Sequence, residues 1–148
     1  MKNKVRILGL IVIFLAVISL AIGIVFVQQG FAKEAFLIEA MTKEQITLDG
    51  IEGIINTPGK AQLAGDTVRE HRRGIAPTYG DLLGGERFNP TDAKQLTYAQ
   101  ALNLENYLYL AVTAFGVFTV VKATGAFMVA MALALGATGY GLLSVATD

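Results

Sequence analysis

The chain has one histidine, no cysteine and two serines, and those few residues bound its chemistry. His71 sits in "EHRR" (Glu70–Arg73). A metal there would need carboxylates such as Glu70 or Asp66 beside it, and a lone histidine followed by two arginines reads more simply as a solvated helix end. The arginines could grip a phosphate or an anionic head group, although a solvated face needs no ligand. Ser19 and Ser144 both fall in long apolar tracts, which leaves no serine–histidine–aspartate set. Without cysteine there is no disulfide, iron–sulfur ligand, lipoprotein thiol or cysteine nucleophile. "YGDLLGGERF" (Tyr79–Phe88) has glycines but not the lysine and serine of a phosphate loop, and no clear strand precedes it. It reads as a loop and a possible contact surface. No catalytic residue, metal ligand or cofactor is expected, and the chain is not expected to be an enzyme.

Lys122 is the remaining candidate. It interrupts "FGVFTVVKATGAFMVAM" (Phe115–Met131). A lysine inside a membrane is by default a functional site, such as a proton relay or counter-ion, and it wants a carboxylate partner. No Asp or Glu lies in any of the apolar spans described below, so Lys122 is expected to mark a turn instead.

These residues must be held by an unusual chain. Its 148 residues are 53% hydrophobic and only 16% charged, where a soluble domain is about a quarter charged. The charge is unevenly placed. Residues 7–27 carry none, and residues 107–148 carry only Lys122 and Asp148. Net charge is zero and the one basic block is "EHRR", so no footprint for nucleic acid exists.

Ile7–Val27 is 21 uncharged residues. As a helix it spans about 31 Å, close to the hydrocarbon thickness. Lys2, Lys4 and Arg6 precede it and hold the N-terminus in the cytoplasm. "GFA" (Gly30–Ala32) offers small residues for signal cleavage, but a signal core is typically about 7–15 residues. A retained anchor over residues 1–28 is therefore expected. Its helix should continue to around Lys43, with Phe36, Leu37, Ala40 and Met41 at helical spacing and Gly30 as a tolerated weak point.

Tyr107–Val145 is 39 residues. One helix of that length would measure about 58 Å, nearly twice the hydrocarbon core. Two antiparallel spans are expected, Tyr107–Val121 and Ala126–Val145, joined by "KATG" (Lys122–Gly125). Helical hairpins use loops of about 2–5 residues. Lys122 suits a helix C-terminus and Gly125 a tight turn. Tyr107 and Tyr109 suit the outer interface. Lys122 then returns to the cytoplasmic side and Asp148 lies outside.

Between the anchor and the hairpin, residues 44–58 read as irregular, with at most one short strand. A helix should start at Thr57–Pro58 and stop at Gly74, with a thin apolar stripe of Leu63, Thr67 and Val68. A loop with Pro77, Gly80, Gly84 and Gly85 follows. A last helix should start at Asn89–Pro90, carry Leu96, Ala99, Ala101 and Leu102, and run into the membrane. The expected fold is an all-α membrane protein. It has three transmembrane helices, an N-terminal span and a C-terminal helical hairpin (residues 105–148), with a small, mostly helical extracytoplasmic segment over residues 29–104.

In the last span, Ala126, Ala130, Ala134 and Thr138 recur every four residues, as do Ala132, Gly136 and Tyr140. Small residues at this spacing let helix backbones approach closely. Ala126, Ala130, Ala134, Ala132 and Gly136 form the candidate helix-packing interface, either within the chain's own bundle or against another subunit.

"YGDL" (Tyr79–Leu82), "NPTD" (Asn89–Asp92) and "ALNLENYLYLAVTAFGV" (Ala101–Val117) resemble a family of small bacterial three-span membrane proteins of unknown function. The resemblance covers the architecture of the whole chain. It implies a multi-pass protein of the bacterial cytoplasmic membrane. Members often carry the label aromatic ring-opening dioxygenase, which implies non-haem iron held by two histidines and a carboxylate. One histidine cannot supply that set. The expected role is a non-catalytic accessory or structural subunit of a larger membrane assembly, with lipids and other integral subunits or copies of itself as partners. The alternatives are a self-associating membrane protein or a membrane-anchored extracytoplasmic binding module. A pore would need a polar stripe, and Thr113, Thr119 and Thr138 are too few to line one.

Overall fold

A computed structural model describes residues 2–147. Four helices follow one another: α1 (Lys2–Glu44), α2 (Pro58–Ile75), α3 (Tyr79–Leu83) and α4 (Ala93–Thr147). The described residues contain no strand, only one antiparallel bridge between Leu48 and Ile51. The expected all-helical class is met. α1 and α4 are each long and apolar enough to cross a membrane.

The hairpin is not there. α4 runs unbroken through Lys122–Gly125 for 55 residues, so the two expected C-terminal spans are one helix. The chain's three prolines are Pro58, Pro77 and Pro90, so nothing in α4 removes a helical hydrogen bond. A lone glycine costs only about 1 kcal/mol in a helix. Asp148, expected on the outer side, lies outside the described residues.

The chain divides into two compact units, Met1–Glu34 with Val117–Asp148, and Ala35–Gly116. In the first, α1 and α4 pack antiparallel along a seam of small residues. A Cβ added to Gly23 would lie 2.8 Å from the Gly125 carbonyl oxygen, and one on Gly125 2.7 Å from that of Gly23. Towards the termini, a Cβ on Gly139 would lie 3.1 Å from the Gly9 carbonyl oxygen. Ala16 and Ala132 are buried between these points. The seam residues recur every seven positions: 9, 16, 23 and 30 on α1, and 125, 132 and 139 on α4. A seven-residue period keeps one face of each helix turned to the other. The outward faces are apolar, with Phe14, Val17, Val120, Phe127 and Leu133 all exposed.

In the second unit, α1 ends at Glu44, and Gln45 takes a left-handed conformation with φ of 53°. The Lys60 ammonium ties down the following segment by donating to the carbonyls of Glu52 (2.7 Å) and Ile54 (3.3 Å). α2 begins as expected, with Thr57 accepting from the Lys60 amide and Pro58 in the first turn. Its buried face keeps Val68 of the expected stripe but otherwise differs from it. Leu63 is exposed, while Ala61, Ala64, Gly65, Val68 and Arg72 are buried. They follow i, i+3, i+4, i+7 spacing, which is one helical face. The core joins Met41 and Ile55 to Ala61, Ala64 and Val68 of α2 and to Leu108, Ala111 and Phe115 of α4.

The "YGDLLGGERF" loop contains α3. Thr78 caps it by accepting from the Asp81 amide, and Gly84 ends it in the left-handed region. α4 starts three residues later than Pro90, with the Asp92 side chain accepting from the Gln95 amide at 2.8 Å.

Candidate functional site

Lys122 has a partner. Its stem crosses Gly30, where an added Cβ would lie 2.5 Å from Lys122 Cγ. Its ammonium donates to Glu34 Oε2 at 2.7 Å and lies 4.8 Å from the centre of the Phe31 ring. Both side chains are about three-quarters buried. The expected turn residue is instead one half of an ion pair that joins α4 to α1. The carboxylate was missed because it lies seven residues beyond Val27, where the first apolar tract stops. Its approach to Lys122 requires the two helices to lie side by side. Midway along the seam, between Ala16 and Gly23, Ser19 donates to the Met128 carbonyl at 2.9 Å.

The expected packing residues separate into two groups. Ala132 is buried in the seam against α1. Gly136 is half-buried, but a Cβ placed on it meets nothing within 4 Å, so it is not a point of close approach within this chain. Ala126, Ala130 and Ala134 are exposed. An apolar groove of about 260 Å³ opens beside the seam, lined by Ile13, Ala16, Val17 and Leu20 of α1 and Ala132, Leu133 and Gly136 of α4. Of the residues that do bring the backbones together, Gly125 was expected in a turn, and Gly9, Gly23 and Gly139 were not singled out. Their signal was the seven-residue spacing, hidden behind the four-residue spacing of the alanines.

"EHRR" also departs from its expected solvated face. His71 and Arg73 are exposed, but Arg72 is buried. Its Nε donates to Glu105 Oε2 at 2.6 Å and its Nη2 to Oε1 at 3.4 Å. Nη1 donates to the Tyr98 hydroxyl, and the guanidinium lies 4.9 Å from the centre of the Tyr98 ring. The Tyr79 ring of α3 sits 6.1 Å from that of Tyr98. The hydrogen bond from Arg72 to Glu105 raises the arginine's pKa against the opposing effect of burial. Among the described residues no buried side-chain nitrogen or oxygen lacks a hydrogen-bond partner, so the cluster is a closed structural network rather than an empty anion site.

Nearly two turns of α2 before Arg72, the Tyr109 hydroxyl donates to Asp66 Oδ1 at 2.7 Å, as does Arg69. Hydrogen bonds from Gln62 and then Tyr109 hold the Asp66 carboxyl below its usual range. Burial first, and the bond to Asp66 second, push the Tyr109 hydroxyl up to about 12.

Among the described residues no three of His, Cys, Asp or Glu come together to hold a metal. An iron site of two histidines and a carboxylate does not fit a chain whose one histidine, His71, lies exposed on α2. Neither a family model, a curated protein nor a solved structure matches the chain.

Proposed function

We propose that this chain is a non-catalytic accessory subunit of a bacterial membrane protein assembly, held in the cytoplasmic membrane by α1 and the C-terminal part of α4. The observation behind this reading is the division of α4 into two small-residue faces. One is closed by α1 through Gly125, Ala132 and Gly139, and the other, Ala126, Ala130 and Ala134, is open. In lipid there is little hydrophobic drive between helices, so association depends on close packing of such faces. The outward residues of α1 are instead large, such as Leu10, Phe14 and Leu15, and suit contact with lipid.

The basic residues in the first turns of α1, Lys2, Lys4 and Arg6, orient the N-terminus to the cytoplasm, and residues 29–104 are extracytoplasmic. With α4 continuous, the protein crosses twice and Lys122 lies at the outer boundary. Its span then starts after Lys122 and runs to Val145, 23 residues or about 35 Å.

The test is the composition and size of the particle extracted in mild detergent, for wild type beside Ala130→Ile/Ala134→Ile. The expected wild-type particle contains a second integral membrane protein at fixed stoichiometry, and the variant loses it while still inserting. A particle holding only copies of this chain would favour the self-associating alternative. A lone monomer for both proteins would overturn both readings.

A further inference from the structure

The part of α4 that precedes its span turns an uncharged face outward. Between Gln95 and Gly116 the one charged residue is Glu105, and it points inward to Arg72. Tyr98, Leu108 and Ala111 are buried on that same side. The opposite side carries Leu96, Ala99, Asn103, Asn106, Leu110 and Thr113. Their steps alternate between three and four residues, which is the seven-residue repeat of a helix-pairing seam. All but the half-buried Ala99 are exposed, Leu110 to 68%. Thr113 uses its hydroxyl within its own helix, donating to the Tyr109 carbonyl at 2.9 Å. Asn103 and Asn106 have no side-chain hydrogen bond to any described residue. A helix side that faces only water normally carries charge, as α2 does with Glu70 and Arg73.

We propose that this face is a dimer interface, covered by the same face of a second copy of this chain. Copies that insert by the same basic N-terminus enter the membrane in one orientation. A two-fold axis along the membrane normal then lays their α4 helices parallel and in register, so each residue of the face meets its own counterpart. Electrostatics decides which faces tolerate that. A charged residue would oppose its own charge, and this face has none. Asparagine suits the arrangement, because a carboxamide carries both donors and an acceptor and pairs with its own copy. One such polar pair at a seam position fixes register and the number of helices. Leu96 and Leu110 add apolar contact on either side of Asn103 and Asn106. The other outward faces of this unit lack that self-complementarity: α2 exposes Glu70 and Arg73, and α1 exposes Glu39 and Lys43. The inference rests on the membrane placement proposed above but not on the second protein proposed there. Every residue of the face lies within residues 35–116.

The chain has no cysteine, so single cysteines in the full-length protein report contacts in intact membranes. Under mild oxidation, Asn103→Cys and Leu110→Cys should each cross-link to twice the mass of the chain. Glu70→Cys, exposed on α2, should not, because a disulfide needs Cα atoms within about 7 Å. A charge exchange then asks whether the residue meets itself. Two differently tagged copies should be recovered together in mild detergent. Leu110→Glu in both copies should lower that recovery on the order of tenfold, as should Leu110→Lys in both, and Leu110→Glu beside Leu110→Lys should restore it. Leu110 makes no core contact, so each variant should still insert. The proposal is overturned if the seam cysteines cross-link no better than Glu70→Cys, if they cross-link to a protein of another mass, or if the opposite charges do not restore recovery. Recovery of the chain outside the membrane fraction would overturn the membrane placement together with this inference, whereas insertion without self cross-linking overturns this inference alone.

Discussion

Lys122 and Asp66 show how a single polar side chain acts in this molecule. The Lys122–Glu34 pair is about three-quarters buried, so removing one partner strands the other against apolar neighbours. Lys122→Met or Glu34→Gln should each lower stability by roughly 1–3 kcal/mol. The double variant should cost less than the two added together, and a thermal-unfolding double-mutant cycle in detergent measures that coupling. Strict additivity would mean that the pair does not hold the helices. Asp66 makes a pH prediction. Its folded pKa lies below the ordinary 3.8, so its contribution is complete above that value and fades as pH falls through the lowered one. The stability difference between wild type and Asp66→Asn should therefore be constant from neutral pH down to about pH 5 and shrink below pH 4.

The helix pair depends on glycines placed at points of backbone contact. A side chain on Gly23, Gly125 or Gly139 would meet carbonyl oxygens, backbone nitrogens or neighbouring side chains at 2.6–3.1 Å, and a main-chain atom cannot swing aside. Gly125→Val or Gly139→Val should separate α1 from α4, lowering the melting temperature of the extracted protein. Gly136→Ala should be nearly neutral, since its Cβ meets nothing within 4 Å. Equal effects at Gly125 and Gly136 would contradict the seam. The charge pattern along the same helices carries an orientation prediction. The chain has no cysteine, so single cysteines report cleanly. A cysteine at Lys122 should react with impermeant reagent from the outer side, together with one at Glu52. Labelling of position 122 from the cytoplasm alone would restore the hairpin arrangement.

At the scale of the whole molecule, the two units are stabilised by different means. Residues 35–116 have an interior built on Met41, Ile55, Leu108 and Phe115, supplemented by buried ion pairing. The other unit has little interior beyond its seam, and its large apolar side chains point outward. Such a surface is unstable in water and ordinary in lipid. Transfer from detergent micelles to detergent-free buffer should therefore aggregate the full chain. A protein that stayed monomeric there would argue against membrane residence.

Several features were legible in the amino-acid sequence because their causes are local. The charge-free run Ile7–Val27, the continuation of α1 to Glu44 and the Thr57–Pro58 start of α2 all follow from hydropathy, periodicity and capping chemistry within a few residues. The exposed alanines of α4 were also visible as a face, though not which face was free. What only tertiary structure decided are the features that depend on a second helix. "KATG" has the composition of a turn, but Gly125 is small because Gly23 and Val27 lie against it. Lys122 lacked a carboxylate within its own apolar run, and Glu34 reaches it only when α1 lies alongside. Arg72 is buried because Glu105, 33 residues away, supplies its counter-charge. A single strand of sequence shows where a side chain is small or charged. Its cause, when that cause is a neighbour in space, appears only once the helices pack.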